Sequence, residues 1–298
     1  VTSPALHVTK SAMSPPPAHA WEFKPRFRRE SFGWQSQPAI GRIKEAVAEI
    51  KKVARKDPTL AAEGAVLFLE RLAPAIDRVD GSSGSISTAV NNAIAALTTI
   101  IAVAPADPAI REEWLTRLWQ AIDADDKPYL ETLGDVWGPL CASKSVASRW
   151  ADVLSPTLMA MWRPGEKYSG YYKGTSACFS ALLTAERHTE ILGLLERAPH
   201  VWWHYRRWGV QALAALGETD AAIAYAGASL GRNDDPRESA PLCESILLAA
   251  GRADDAYRRY GVLASRASSY LATYRALARK YPQKPPRQLL TDLVANSP

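Results

Sequence analysis

The sequence has few cysteines and no uninterrupted apolar stretch as long as a membrane span. Only three of its 298 residues are cysteine, and all three lie in apolar stretches with a helical pattern. This argues against a disulfide framework and favours a reducing cytoplasm. The longest apolar stretch, Ala89 to Ala104, is interrupted by Asn91 and Asn92 and is shorter than the roughly 18 residues of a membrane span. We therefore expect a cytoplasmic protein without a membrane segment.

The familiar enzyme signatures are also missing. The chain contains no P-loop, no dinucleotide-binding glycine fingerprint and no nucleophile elbow. The carboxylates at 112–113 and 123–126 are interpreted as solvated helix faces and ends. We expect no catalytic residue and no cofactor. A hydrolase with carboxylates in a helical groove remains the enzymatic alternative.

Two groups of polar residues resemble metal sites only in part. His200 and His204 are four residues apart, but Val201, Trp202 and Trp203 separate them where a zinc protease has a glutamate, and no third ligand is indicated. The segment 77–85 has several side-chain oxygens, but it lacks the alternating ligands and late glutamate of a calcium loop. We interpret it as a helix end at Gly81 and a serine cap on the next helix, and we expect no metal.

What the chain does have is helical periodicity. Apolar residues make up 47% of the sequence and charged residues 22%, as in ordinary globular proteins. Alanine and leucine dominate the apolar set, and apolar positions recur every three or four residues. The pattern predicts a chain that is helical almost throughout, with its largest loop at 163–174. The predicted helices are 38–56, 58–79, 85–103, 108–124, 128–140 and 144–162, followed by the pairs 175–185 with 188–197, 202–216 with 219–230, 237–250 with 253–265, and 268–280 with 286–296.

A repeated phrase marks the C-terminal half. Residues 213–226 read LAALGETDAAIAYA and residues 247–260 read LLAAGRADDAYRRY, so Gly217 matches Gly251 and Ala222 matches Ala256 at an offset of 34. The preceding pair of helices fits an offset near 30. A period near 34 is typical of stacked helical hairpins.

This half resembles the tetratricopeptide repeat superfamily in its turn glycines and in the small residues of its second helices. The whole chain is also similar to an uncharacterised family of bacterial helical-repeat proteins, through RLAPAIDRVDGSSGSI at 71–86, WLTRLWQAI at 114–122 and WWHYRRWGVQAL at 202–213. The resemblance implies an all-α fold, an α-α superhelix of antiparallel hairpins. It implies no activity.

Charge and composition divide the chain further. Residues 1–56 carry 11 Lys and Arg against 4 Asp and Glu, the middle of the chain carries a net −8, and residues 251–298 carry 9 against 3. The basic ends either attract an anionic partner or fold back on the acidic body. The predicted regions are a disordered tail at 1–20, a basic aromatic arm at 21–37, a helical region at 38–165 and tetratricopeptide-like repeats at 166–298.

Two clusters mix aromatic and basic residues. The arm reads WEFKPRFRRESFGW at 21–34, and residues 202–208 read WWHYRRW. Such clusters either anchor the chain by packing or bind nucleic acid by stacking and phosphate contacts. Packing is the simpler interpretation. It predicts that at least two of Trp21, Phe23, Phe27 and Trp34 pack on the helical body while residues 1–18 stay mobile.

The function predicted from these patterns is a non-enzymatic scaffold that binds a protein or peptide. In the family that the chain resembles, the first helix of each pair lines a groove that holds the partner. The alternative is a nucleic-acid-associated protein that uses the basic arm and the C-terminal helices. The candidate partner-binding residues are His204, Arg206, Arg207, Gln211, Glu238 and Glu244.

Overall fold

The computed structural model describes residues 19–163, 170–230 and 235–296, and within these ranges it contains helices and no strand. The all-α prediction is confirmed, and most predicted helix ends lie within three residues of the observed ones. The exceptions are the helix predicted at 128–140, of which only the last part is α-helical, and the one predicted at 253–265, which is divided into three short elements. The helices are α1 (Ser36–Ala54), α2 (Pro58–Ile76), α3 (Ser85–Val103), α4 (Pro108–Asp123), α5 (Trp137–Cys141), α6 (Lys144–Met161), α7 (Thr175–Thr184), α8 (His188–Glu196), α9 (Trp203–Ala215), α10 (Thr219–Ala228), α11 (Pro236–Ala249), α12 (Ala253–Ala256), α13 (Val262–Ala264), α14 (Tyr270–Lys280) and α15 (Pro286–Ala295). A 3₁₀ turn at Glu131–Val136 leads into α5, and a π-helical turn at Tyr257–Gly261 joins α12 to α13.

Three helices start at an Asp-Pro pair. Asp57, Asp107 and Asp235 each stand one residue before a helix and accept backbone N–H groups of its first turn. The proline that follows has no N–H to leave unsatisfied, and its fixed φ suits the first helical position. The same dipeptide therefore sets the start of α2, α4 and α11.

The turn between α2 and α3 differs from the prediction. Helix α2 ends at Ile76 rather than at Gly81, and α3 is capped by Gly84 at φ 68° instead of by a serine side chain. The reason is Asp80, whose carboxylate accepts hydrogen bonds from the Ser82 amide at 2.9 Å and the Ser82 hydroxyl at 3.0 Å. These bonds form a local turn and lower the pKa of Asp80.

Helix α3 is also more apolar than we expected. Its mean hydropathy is 1.6, which makes it the one helix in the described ranges with the length and composition of a membrane span. In the structure it packs against α1 and α2 through residues such as Ile86, Val90 and Leu97. The predicted cytoplasmic location stays a prediction.

The aromatic arm packs on the first helices. Trp21, Phe23 and Phe27 are almost fully buried, and the rings of Phe23 and Phe27 both contact the ring of Phe68 in α2. The packing prediction is therefore confirmed for three of the four aromatic residues it named. Trp34 is 70% exposed. Residues 1–18, predicted to be mobile, lie outside the described residues.

Two hydrophobic clusters form the core. The first extends from Trp21 to Ala212 and passes without a break through α7, so it continues across the predicted boundary at residue 165. The second extends from Trp203 to Leu293. The clusters meet at α9, which contributes Tyr205 and Trp208 to the first and Val210 to the second.

The three cysteines are buried, and none of them forms a disulfide bond. They lie in α5, α7 and α11. Burial raises the pKa of Cys141 to about 12 and that of Cys178 to about 11. Both thiols therefore stay protonated near neutral pH and act as small core side chains.

A candidate binding face on the first helices of the hairpins

Three helical hairpins of the C-terminal half turn in the same way. The first helix of each pair, α7, α9 or α11, is followed by a residue with positive φ: Glu186 at 59°, Gly217 at 82° and Gly251 at 74°. The next residue then donates its N–H back to a carbonyl five residues earlier, the bond pattern of a Schellman motif. These bonds run from Arg187 to Leu182 at 2.9 Å, from Glu218 to Leu213 at 3.0 Å and from Arg252 to Leu247 at 2.8 Å.

The left-handed residues are 31 and 34 positions apart, in agreement with the offsets near 30 and 34 in the sequence. The matched alanines, Ala222 and Ala256, are fully buried in the second helices. Glu186 is the position that the sequence does not reveal, because a glutamate seldom adopts positive φ. The same turn occurs three times, with glycine at the left-handed position in two cases and Glu186 in the third.

Counting back from the left-handed residue defines one stripe on each first helix. In α9 the stripe is His204, Arg207, Gln211 and Ala215, and in α11 it is Glu238, Pro241, Ser245 and Ala249. The spacing of three, seven and eleven residues places each set on one side of its helix. All eight side chains are exposed or half-buried. We call this surface the open face.

The same positions of α7 are Ser176, Ser180 and Thr184, and they are covered. Residues 131–141, which we call the inner segment, lie directly on them. The Gly138 amide donates to the Ser180 hydroxyl at 2.9 Å, and that hydroxyl donates to the Asp135 carbonyl at 3.2 Å. Ser176 and Ser180 are 4% and 2% exposed as a result.

Two glycines allow this close approach. A Cβ on Gly138 would lie 2.1 Å from the Thr184 hydroxyl and 2.2 Å from the Ser180 carbonyl oxygen. A Cβ on Gly134 would lie 3.0 Å from the Ala177 amide nitrogen. Contact with the α7 backbone therefore requires glycine at 138, while at Gly134, four residues earlier, a side chain would be in tight contact with α7.

Polar contacts link the covered and the open parts of the surface. Asp135 of the inner segment forms an ion pair with Arg207 of α9, whose guanidinium lies 5.0 Å over the Trp208 ring. The His204 imidazole is 3.0 Å from the Ser176 hydroxyl. Burial lowers the pKa of His204, and the nearby Arg207 cation lowers it further, against the opposing carboxylates of Asp135 and Glu131.

Four of the six candidate residues lie on the open face: His204, Arg207, Gln211 and Glu238. Arg206 points elsewhere, since its guanidinium donates to the Tyr225 hydroxyl at 2.7 Å in α10.

Glu244 is 2% exposed and pairs with Lys280, and it accepts the Tyr281 hydroxyl at 2.7 Å. Burial raises the pKa of Tyr281, and the Glu244 carboxylate raises it further. The Glu244 side chain is thus used inside the fold.

Sequence reasoning missed the inner segment and four members of the open face, Ala215, Pro241, Ser245 and Ala249. Pro241 and Ser245 are equivalent to Arg207 and Gln211 by the 34-residue offset, so the offset was the signal that identifies them. The sequence signal for the inner segment is weaker. The pair Gly134 and Gly138 is compatible with a close contact, but it does not indicate which helix is contacted.

The two histidines are not on one helix face. His200 precedes α9, and its ring stacks on Trp202 at 4.6 Å. His204 contacts Ser176 instead. Across the ranges that the structure describes, no group of three or more His, Cys, Asp or Glu side chains is arranged to hold a metal.

The carboxylates considered for a hydrolase have structural partners. Glu112 pairs with Arg149 and accepts the Trp150 indole N–H at 2.9 Å. Asp125 is 5% exposed and accepts the Leu130 amide at 2.8 Å. Their interpretation as solvated side chains is wrong for these two residues, because both are tied to the neighbouring helix or turn.

Comparison of the chain with protein-family models, with curated proteins and with solved structures found no match.

Proposed function

We propose that the protein is a helical-repeat scaffold that binds a polypeptide on the open face, within a tetratricopeptide-like superhelix. One observation carries the proposal. At the first hairpin the equivalent face already holds a polypeptide, the inner segment, through its backbone N–H and C=O groups. At the second and third hairpins the same helix positions are exposed or half-buried, and the inner segment contacts them through the ion pair of Asp135 with Arg207.

The order of contacts supports a continuous surface. Helix α7 packs on α9, and α9 packs on α11. The ion pair of Glu244 with Lys280 then joins α11 to α14. First helices that follow one another in this way present their exposed stripes side by side, as stacked hairpins do.

The side chains of the open face suit a peptide main chain. His204, Gln211, Glu238 and Ser245 offer hydrogen-bond donors and acceptors, and the apolar members of the face, Ala215, Pro241 and Ala249, are small. The Ser180 hydroxyl uses both capacities on the inner segment, as donor and as acceptor. We expect a partner to be held in the same manner, mainly through its backbone.

The test uses peptides selected from a random phage-displayed library on the purified chain. Their affinity is measured by fluorescence anisotropy for the original protein and for the double variant Gln211→Arg with Ser245→Arg. These two positions correspond in α9 and α11, so the variant adds bulk and charge across the face. We expect an affinity loss of about tenfold or more, equivalent to ~1.4 kcal/mol.

The matched control is Ala221→Arg with Ala224→Arg, which places the same groups on exposed positions of α10. We expect its affinity to stay unchanged. Equal weakening by both variants, or by neither, would show that the selected peptides bind elsewhere.

A further inference from the structure

A concave surface lies between the arm and α1, and no residue of the hairpins lines it. It is a hollow of about 780 Å³ whose polar lining includes Arg26, Arg28, Ser31, Arg42 and Glu45. We call it the arm hollow. It takes no part in the open face.

The wall formed by the arm is held in place. Phe27 and Phe32 are 1% and 4% exposed and anchor the chain on either side of Arg28. The Ser31 hydroxyl donates to the Arg26 carbonyl at 2.8 Å, and the Glu30 amide donates to the Pro74 carbonyl at 2.8 Å. The charged side chains of the arm are therefore displayed from a fixed backbone.

The charges of the hollow do not cancel. Arg26 pairs with Glu45 at 3.0 Å. Arg42 lies with its guanidinium 4.9 Å over the Phe32 ring. Within the described part of the chain, neither Arg28 nor Arg42 forms an ion pair with a carboxylate. The lining thus carries three arginines against one glutamate, and the guanidinium of Arg42 is oriented by an aromatic ring.

An exposed aromatic residue, Trp34, neighbours the hollow in sequence, although it is not part of its lining. Trp34 lies in the chain between Ser31 and Pro38, which both line the hollow. Its carbonyl accepts the Asp80 amide at 2.8 Å, while its side chain is 70% exposed. The indole is therefore presented to solvent from a tethered main chain. This sets it apart from Trp21, Phe23 and Phe27, which serve as anchors.

We propose that the arm hollow binds single-stranded nucleic acid, with Arg28 and Arg42 on the phosphates and the Trp34 ring stacked under a base. Arginine for phosphate and an exposed aromatic face for a base are the two elements of strand binding without sequence preference. The C-terminal end of α1 carries further exposed cations, Lys51, Lys52 and Arg55, although Glu45 and Glu49 lie between them and Arg42. A 19-residue helix spans about 28 Å, so these cations are within reach of a polymer and out of reach of a single nucleotide bound at the hollow.

The shape distinguishes this ligand from a membrane. Arg28 and Arg42 line a concavity, which a strand can enter and a plane of lipid headgroups cannot. A vesicle surface therefore serves as an alternative outcome of the test.

The experiment measures the anisotropy of labelled 20-nucleotide poly(U) and poly(dT) with the full chain at several salt concentrations. The variants are Arg28→Ala with Arg42→Ala, Arg28→Glu alone, and Trp34→Ala. Arg197→Ala with Arg287→Ala is the matched control, since it removes two exposed arginines at other places. Circular dichroism and thermal melting confirm that each variant is folded.

We expect the Arg28 and Arg42 double variant to bind at least tenfold more weakly and to reduce the log–log salt slope by about 1.4, the loss of two phosphate contacts. Trp34→Ala is expected to weaken binding about tenfold without changing that slope. Arg28→Glu is expected to weaken it as well, and the control to stay within twofold.

Three results would overturn the proposal. The first is no binding of either strand at about 50 mM salt. The second is equal weakening by the double variant and its control, which would indicate diffuse attraction to net charge. The third is Arg28- and Arg42-dependent binding of phosphatidylserine vesicles in the absence of strand binding, which would assign the hollow to a membrane surface.

Discussion

Helices α7 and α9 are the first helices of their hairpins, but their equivalent residues lie in different environments. Those of α7 are covered by the inner segment, and those of α9 are exposed or half-buried. Counted back from the left-handed residue, α7 has Ser176, Ser180 and Thr184 where α9 has Arg207, Gln211 and Ala215. The small hydroxyl-bearing side chains of α7 let the inner segment approach its backbone. Arg207 and Gln211 of α9 are longer than their counterparts in α7, and Asp135 of the inner segment reaches α9 through its ion pair with Arg207.

The difference shows how one repeated surface serves two purposes. Where the stripe is small and the covering segment has glycine, the contact is permanent and forms part of the first core cluster. Where the stripe is long and polar, the face stays open. Each of the following experiments changes one side of this comparison.

The largest effect is expected for Gly138→Ala. The new methyl group would collide with Thr184 and with the Ser180 backbone, so we expect a loss of about 3 kcal/mol in the free energy of unfolding. Urea denaturation measures it. The control is Gly193→Ala in α8, where no atom lies within 4 Å of the added carbon, and where alanine is expected to stabilise the helix by about 0.5–1 kcal/mol. Effects of the same sign at both glycines would contradict the covered-face account.

A smaller loss is expected when the two stripes exchange residues. Ser180→Gln gives α7 the side chain that α9 carries at Gln211, overfills the contact and removes the hydroxyl that pairs with the inner segment. We expect a loss of about 2 kcal/mol in the free energy of unfolding. The reverse change, Gln211→Ser, is expected to stay within about 0.5 kcal/mol. Similar losses from both substitutions would mean that the two positions are equally buried in solution.

The ion pair between the two faces is expected to contribute less. The Asp135 and Arg207 side chains are 30% and 26% exposed, so solvent weakens their attraction. A double-mutant cycle to alanine should give a coupling of about 1 kcal/mol. Arg26 and Glu45, at 51% and 65% exposure, should give a smaller coupling in the same experiment. A coupling of zero for Asp135 and Arg207 would remove the link between the inner segment and α9.

The smallest effect is expected from pH. The pKa of His204 is lowered in the folded protein, so the unfolded chain, with a histidine pKa of about 6.5, binds the proton more readily. The stability that this histidine contributes is therefore present above pH 6.5 and is lost as the pH falls toward the folded pKa. Urea denaturation between pH 5 and 8 should show a shallower decline for His204→Gln. Identical profiles for both proteins would contradict the assigned environment.

The sequence predicted most of the fold because the local signals agree. The Asp-Pro pairs mark three helix starts, and Gly217 and Gly251 mark two of the three repeated turns. The packing of the arm followed from its aromatic content, and the structure confirms it for Trp21, Phe23 and Phe27.

The site was only partly predictable, since tertiary contacts decide it. Helical spacing put His204, Arg207, Gln211 and Glu238 on one face, but it gave no indication that Glu244 is buried against Tyr281. The cover on α7 comes from residues about 45 positions earlier in the chain, and hydrophobic periodicity carries no information on such a contact.

The central claim is that the first helices of the hairpins form one polypeptide-binding surface whose first part is already filled. Hydrogen exchange monitored by mass spectrometry, with and without a saturating library-selected peptide, tests it most directly. The account predicts new protection of backbone amides in α9 and α11 and no change in the second helices α8 and α10. Protection confined to α8 and α10, with α9 and α11 unchanged, would contradict it.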